Sequence, residues 1–217
     1  MRSSSEEDTN KGLAVKRVKQ VKNQTLFNQR QKQITEAALS LFLEKGYHAT
    51  TIRDISRRSG VNKGSLYDYV QNKEDILRIL LDKMHQTSEV FPREKQQFQE
   101  RFGSLKEYLK SQFKYSWTEN RQGILLTYRV TKSLKREALK NLLTSDSALV
   151  DRISDRIKLF TGIEDDDKRI RLIANIVVFL NAFMPMRDWN LREYEMDDIL
   201  DLVVEMVLKV LEVDEPS

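Results

Sequence analysis

Residues 50–75 carry basic, hydroxyl and tyrosine side chains at a spacing suited to contacts with phosphates and base edges. Four of the basic side chains stand where an outward-facing helix surface is expected: Arg53, Arg57, Arg58 and Lys63. Cationic donors neutralise backbone phosphates, and lysine or serine donors also reach base edges in the major groove. The segment therefore predicts a DNA-binding surface.

Two short helices are predicted to position these side chains, at Ile52–Ser59 and Lys63–Val70. The turn 60–62, Gly-Val-Asn, joins them, with a glycine that accepts a positive φ and an asparagine that caps the next helix. This is the helix–turn–helix layout, in which the second helix enters the major groove and the first crosses the backbone. Thr50 or Thr51 would cap the first of the two helices.

The remaining composition excludes several kinds of active site. The 217 residues include no cysteine, which rules out disulfides, thiolate zinc sites and cysteine nucleophiles. His48 and His85 are the two histidines and lie far apart in sequence, and no glycine-rich phosphate loop is present. We therefore expect no enzyme, no metal site and no cofactor.

The charge is distributed unevenly along the chain. Residues 1–86 hold 16 Lys and Arg against 10 Asp and Glu, whereas the remainder holds 21 against 23. A basic first part agrees with a phosphate-binding surface there, although differences of this size also occur between halves of unrelated proteins. No apolar run approaches the roughly 20 residues of a membrane span, and the start lacks an apolar signal core. A cytoplasmic protein without a membrane partner is expected.

Seven glycines, three prolines and few alternating stretches predict an all-α fold. We expect residues 1–26 to form a flexible basic arm that reaches DNA or is a solvated tail. Residues 27–72 would form a three-helix helix–turn–helix domain, whose first helix runs from about Leu26 to Lys45. Residues 73–217 would form a larger helical domain for effector binding and dimerisation, coupled to the first through a helix over 72–91.

A run of positions across residues 30–85 resembles the N-terminal domain of the TetR family of bacterial transcriptional regulators. The matching residues are Ile34, Ala37, Ala38, Leu41, Phe42, Gly46 and Tyr47, then 50–55, 59–67 and 72–74. Val70 departs from the pattern, since the family usually has phenylalanine there. The likeness covers about a quarter of the chain.

Together, the residue chemistry and this resemblance give a set of expected DNA contacts. They are Thr50, Thr51, Arg53, Asn62, Lys63, Gly64, Ser65, Tyr67, Tyr69 and Lys73. Thr50 and Thr51 would hold a phosphate at a helix N-terminus, and Gly64 would let the recognition helix approach the bases. The alternative for Tyr67 is a core position, and Leu66 is expected in the core.

The last two predicted helices, 166–184 and 196–212, resemble the family's dimerisation pair. Their apolar positions are the expected interface of a homodimer: Ile170, Val177, Ile199, Val203, Met206 and Val210. A two-fold dimer would supply a second reading head for a palindromic operator. The alternative is a core helix within one protomer.

A ligand pocket is expected among mixed aromatic and polar residues between about 100 and 185. The candidate contacts are Phe113, Trp117, Tyr128, Asn181 and Trp189. Residues 181–190, with a tryptophan ahead of the final helix, are similar to family members that sense acyl-CoA thioesters. The resemblance implies a repressor that a small effector, such as an acyl-CoA, releases from DNA. An activator, or a helical protein-interaction module, is the alternative.

Overall fold

The computed structural model describes the backbone of residues 4–85, 91–163 and 168–212, and side chains from residue 24 onward except 84 and 85. Every regular element in these ranges is helical, which confirms the all-α prediction. The α-helices are α1 Ser4–Lys45, α2 Ile52–Ser59, α3 Lys63–Leu66, α4 Lys73–His85, α5 Lys95–Arg101, α6 Leu105–Trp117, α7 Arg121–Val130, α8 Arg136–Thr161, α9 Lys168–Leu180, α10 Phe183–Leu191 and α11 Met196–Val210. A 3-10 turn follows α7 at Thr131–Ser133.

The chain divides into two compact units, residues 1–79 and 80–217. In the first, α1 packs on α2 and α2 on α3. Ile34, Phe42, Ile55 and Leu66 are almost fully buried there, so the predicted core spacing of the first helix is confirmed. Gly46, with φ of +88°, follows the end of α1.

Helix α1 begins at Ser4, well before the predicted start near Leu26. The sequence has no proline before residue 92, so no residue type forbids helix across this stretch. The basic side chains predicted to form an arm, in residues 16–22, lie outside the described side chains.

The second unit is built around α6, α8, α9 and α11. Helix α8 packs against α9, and α6 packs against α11 and α8. Large apolar side chains fill the space between them, among them Leu109, Phe113, Ile153, Val177 and Val204. Gly162 ends α8 with φ of +68°, as the sequence predicts.

The helix predicted over 166–184 is interrupted in the structure. Helix α9 stops at Leu180, and α10 starts at Phe183 after a bend of 49°. Pro185 explains the break, because its ring lacks an N–H and would clash with the carbonyl of residue 181 in a continuous helix. No single described helix is long and apolar enough to cross a membrane, whereas the bent pair of α9 and α10 passes that test by length and composition together.

Candidate DNA-contacting surface, effector cavity and apolar face

The helix–turn–helix is fixed by side-chain caps at both of its helices. Thr51 accepts the backbone N–H of Asp54, and Asp54 accepts that of Thr51, which completes a capping box. Asn62 Oδ1 accepts the N–H of Ser65 at 2.9 Å, so both predicted caps are confirmed. Gly60, with φ of +71°, turns the chain between them.

Helix α3 is shorter than predicted. Regular helix covers Lys63–Leu66, and the chain then continues to Tyr69 through three successive hydrogen bonds from residue i+3 to residue i. Val70, expected inside this helix, is buried after its end. The expected reading helix is therefore one α-turn with a tighter extension.

Exposed cations and a tyrosine line one surface of this segment. Arg53, Arg57 and Lys63 are exposed and form no hydrogen bond or ion pair with any described residue. Tyr67 is 50% exposed, so the core alternative for its ring is wrong. A Cβ added at Gly64 would lie 3.3 Å from Asn62 Oδ1, so glycine here leaves room for the cap.

Two predicted DNA contacts are engaged inside the protein instead. Thr50 is 1% exposed, and its hydroxyl donates to the Gly46 carbonyl at 2.8 Å. Lys73 Nζ donates to the carbonyls of Tyr47 and Thr50, each at 2.8 Å, and lies 4.5 Å from the centre of the Tyr47 ring. These contacts correct the expectation for both residues, because their donors satisfy the carbonyls of the loop between α1 and α2.

Burial shifts the pKa values of Lys73 and Tyr47 in this cluster. Desolvation lowers the pKa of Lys73 and raises the pKa of Tyr47 to about 12. Tyr69 is also partly withdrawn, since its ring is half-buried with its centre 5.3 Å from that of Phe27. Thr51, Asn62 and Ser65, predicted as contacts, act as helix caps or cap partners, and this leaves their other atoms at the surface of the turn.

Arg58, predicted as an outward cation, is paired with α1. Its two terminal nitrogens each lie 2.8 Å from the Glu44 carboxylate, and one also donates to Ser40. These bonds hold the pKa of Glu44 at about 2, with Arg58 the largest cause. Arg58 therefore links α2 to α1, whereas Arg53 and Arg57 stay free of described partners.

The second unit contains a cavity of about 250 Å³ between α6, α7, α8 and the end of α9. Its polar lining includes Gln112, Ser116, Asn120, Thr127, Tyr128, Asp146, Arg152 and Asn181, and its apolar lining includes Ile124, Leu142, Leu149 and Val178. Apolar walls with a few convergent polar groups are typical of small-molecule sites. The cavity therefore supplies a candidate effector site.

A buried hydrogen-bond network forms one wall. Asn181 Oδ1 accepts from Ser116 Oγ at 2.8 Å and from Gln112 Nε2 at 3.3 Å. The Nδ2 group of Asn181 donates no hydrogen bond within the described residues, so it is available to a ligand acceptor. Elsewhere in the cavity lining, burial and the carboxylate of Asp146 raise the pKa of Tyr128.

Only some of the predicted effector contacts lie at the cavity. Tyr128 and Asn181 line it, whereas Phe113 and Trp117 stack on each other in the core, with ring centres 5.6 Å apart. Trp117 Nε1 donates to the Leu180 carbonyl, and Trp189 is 59% exposed. The prediction is corrected here, because on α6 the polar pair Gln112 and Ser116, four residues apart, meets the cavity while the aromatic stripe fills the core.

Helices α9 and α11 each present a second apolar face outside the core. Six large apolar side chains on these two helices are 47–63% exposed: Leu172, Ile176, Phe179, Leu202, Met206 and Val210. The other four predicted dimer residues, Ile170, Val177, Ile199 and Val203, are buried in the protomer. They are corrected to core positions, and we call the six exposed residues the α9–α11 face.

The described residues contain no cluster of His, Asp or Glu that could hold a metal ion. Several acidic side chains are instead paired with cations, as in the bridges between Arg58 and Glu44 and between Arg121 and Asp188 at 2.6 Å. Where side chains are described, the candidates for function are therefore the cavity and the exposed basic surface of the helix–turn–helix.

Comparison with known proteins relates both units to transcriptional regulators. Residues 34–80 match the family described as "Bacterial regulatory proteins, tetR family". The HTH-type transcriptional regulator HbdR of Aromatoleum sp. (strain CIB) is 29% identical over 193 residues, which cover 82% of this chain and 81% of that protein.

Solved structures share the fold over most of the chain. A bacterial regulatory protein in the tetR family from Rhodococcus RHA1 has a TM-score of 0.65 at 19% identity, covering 83% of this chain and 96% of that one. The transcriptional regulator FadR from Bacillus subtilis, in complex with stearoyl-CoA, has a TM-score of 0.62 at 22% identity, covering 81% of this chain and 96% of that one.

Proposed function

We propose that this chain, whose residues 34–80 match the tetR family of bacterial regulatory proteins, is a repressor controlled by a small effector. It binds a palindromic operator as a homodimer, and effector binding in the cavity releases it from DNA. The observation that carries this proposal is that α9 contributes side chains both to the cavity and to the α9–α11 face. Its Val178, and Asn181 just past its end, line the cavity, while its Leu172, Ile176 and Phe179 are exposed on the α9–α11 face.

The dimer is proposed from that face. Six large apolar side chains exposed on two adjacent helices mark an interaction surface rather than ordinary scatter. A second copy presents the same face, and two-fold pairing of the two helices would bury both sets. It would also bring two helix–turn–helix segments to one palindrome.

Release follows from differential affinity. A ligand shifts the DNA-bound population only if it binds the released conformation more tightly than the DNA-binding one. Moving occupancy from nearly full to nearly empty takes about 5.5 kcal/mol of that difference. The proposed effector is an acyl-CoA thioester: the acyl chain suits the apolar lining, and Asn181 Nδ2 is a donor for the thioester carbonyl. The stearoyl-CoA complex of FadR from Bacillus subtilis supports this choice.

The DNA-binding step is tested by gel shift on the DNA upstream of the chain's own gene. We expect binding at low salt that weakens as salt rises, and a loss of at least about tenfold in Lys63→Ala/Tyr67→Ala. Lys140→Ala/Tyr194→Ala is the matched control, since it removes the same residue types from exposed places in the second unit. No binding by the wild type, or equal binding by both variants, would overturn the proposal.

The dimer is tested by light scattering. Met206→Asp combined with Ile176→Asp places two charges in each copy of the α9–α11 face and should give monomers that no longer shift operator DNA. Leu26→Asp, at a leucine 50% exposed in the first unit, should leave the mass unchanged. A wild-type monomer would contradict the proposed assembly.

The effector is tested by thermal shift with acetyl-, octanoyl- and stearoyl-CoA, followed by the gel shift. We expect at least one thioester to raise the unfolding temperature and to release the DNA. If none does either, an acyl-CoA is not the effector.

A further inference from the structure

A basic groove of about 620 Å³ lies within the second unit. Five cationic side chains and one carboxylate line it: Arg93, Lys95, Arg152, Arg156, Lys158 and Asp155. So strong an excess of positive charge favours an anion with several negative groups. The cavity, in contrast, is largely apolar and holds about 250 Å³, which falls below the range typical of whole drug-sized ligands.

Arg152 is the residue that joins the two concave sites, because it lines both of them. Its side chain is half-buried on α8 and forms no hydrogen bond or ion pair with any described residue. Burial, followed by the charge of Arg93, lowers the pKa of its guanidinium. A partly desolvated cation beside another cation, without a carboxylate partner, is stabilised when an anion binds.

A narrow cleft lies between the cavity and the groove. It shares Gln112 and Leu149 with the cavity, Arg93 and Arg156 with the groove, and Arg152 with both. Along α8 the distance from Leu142 in the cavity to Arg156 in the groove is about 21 Å at 1.5 Å per residue. The cavity, cleft and groove thus follow one helix in an elongated path, apolar at one end and cationic at the other.

Arg156 positions the groove's wall. It donates to the carbonyls of Pro92 at 3.0 Å and Arg93 at 2.6 Å, and its guanidinium carbon lies 4.0 Å from the centre of the Phe98 ring. These contacts fix the backbone that carries Arg93. The side chains of Arg93 and Lys95 are exposed and make no hydrogen bond or ion pair to described residues, which leaves them available to a ligand.

We infer that this groove binds the nucleotide phosphates of a coenzyme A thioester whose acyl end occupies the cavity, with Arg152 as the residue that joins the two subsites. The inference rests on the proposed effector function and assigns its ligand a second, electrostatic site. Guanidinium groups bind phosphates through paired, charge-assisted hydrogen bonds, which suits Arg93 and Arg152 to the task. Discrimination between acyl-CoA and a neutral acyl thioester would therefore come from the groove.

The test compares thioesters with and without the nucleotide and its phosphates: octanoyl-CoA with octanoyl-pantetheine, and stearoyl-CoA with stearoyl-pantetheine. Affinities are measured by calorimetry for the wild type, Arg152→Ala and Arg93→Ala/Lys95→Ala. The control is Arg136→Ala/Lys140→Ala, which removes two exposed cations from α8 outside the groove. Gel shifts without thioester accompany each variant.

We expect the wild type to bind the CoA member of a pair at least about tenfold more tightly, and the groove variants to abolish most of that preference. Pantetheine thioesters should bind all variants alike, and the control and the ligand-free gel shift should not change. Equal binding of both pair members to the wild type overturns the groove assignment while the effector proposal stands. Weaker ligand-free DNA binding in the groove variants makes the groove a DNA contact and also overturns it. If no thioester of either kind binds, the effector proposal itself fails.

Discussion

The helix–turn–helix unit and the cavity unit differ in how far apart in sequence the residues of their polar contacts lie. In the first, Thr51 caps the N–H of Asp54 and Asn62 that of Ser65, each three residues away. In the second, Asn181 accepts from Gln112 and Ser116, which precede it by 69 and 65 residues. A local cap forms with its own segment, whereas a distant contact requires the whole unit to be folded. The caps of the helix–turn–helix are thus specified within their own segments, whereas the polar wall of the cavity requires the complete unit.

The largest expected effect that bears on this contrast comes from Phe113→Ala. Phe113 is fully buried in the second unit and stacks on Trp117, so its removal should lower the free energy of unfolding by about 3–5 kcal/mol. Urea denaturation measures the change. Trp189→Ala is the control, because that exposed ring should change stability by less than about 0.5 kcal/mol. A Phe113 variant with wild-type stability but lost effector binding would return this residue to the ligand site.

The network around Asn181 gives a smaller effect. Asn181→Ala leaves the buried hydroxyl of Ser116 without its acceptor and leaves Gln112 Nε2 only its 3.4 Å bond to Ser116 Oγ, which should cost about 1–3 kcal/mol in urea unfolding. Ser116→Ala should lower stability less in the Asn181→Ala variant than in the wild type, because the two residues share one network. Asn175→Ala, on the exposed side of α9, is the matched change and should be nearly neutral. Strict additivity of Asn181→Ala and Ser116→Ala would show that the long-range network is not a unit.

Lys73→Met tests the longest contact named in the first unit, 26 residues from Lys73 to Tyr47. Since the ammonium group is partly exposed, we expect a loss of about 1–2 kcal/mol in stability. The slope of log DNA affinity against log salt should stay unchanged, because no phosphate contact is removed. Arg57→Ala should instead leave stability alone and reduce that slope by about 1. A reduced slope for Lys73→Met would restore its predicted phosphate contact.

The smallest expected effect is a change in stability with pH. Arg58 holds the pKa of Glu44 at about 2, below its ordinary value of 4.5. A carboxylate with a lowered folded pKa contributes stability that is complete above pH 4.5 and is lost as the pH falls toward 2. The melting temperature of the wild type should therefore fall more steeply over this window than that of Glu44→Gln. Parallel curves would show that the exposed bridge contributes nothing measurable.

Sequence reasoning located the local features well. The bounds of α2, the cap Asn62 and the turn at Gly60 were predicted correctly, and Thr51 is the cap of the two threonines proposed, because each depends on residues within a few positions. The inward turn of Thr50 and Lys73 was not predicted. Their donors meet carbonyls of the loop between α1 and α2, and no local pattern shows which way a donor points.

In the second unit, the apolar pattern could not separate two faces of one helix. On α9, Ile173 and Val177 face the core while Leu172 and Ile176 are exposed, and both pairs are four residues apart. A helix that is apolar on two sides gives a broad stripe, from which the face buried within the protomer cannot be chosen. The exposed pair and Phe179 were therefore missed as candidates for the proposed interface. Arg152 was missed because a lone arginine on an amphipathic helix looks like a solvated charge until the elements around it are known.

The α9–α11 face also has a consequence for how much protein a cell must make. If a second copy covers this face, the operator-binding form appears in proportion to the square of the free protomer concentration at low abundance. Scarce protein would then leave its operator open even when no effector is present. Expression level would become a second input to the regulator, set by six exposed apolar side chains far along the chain from the residues proposed to contact DNA.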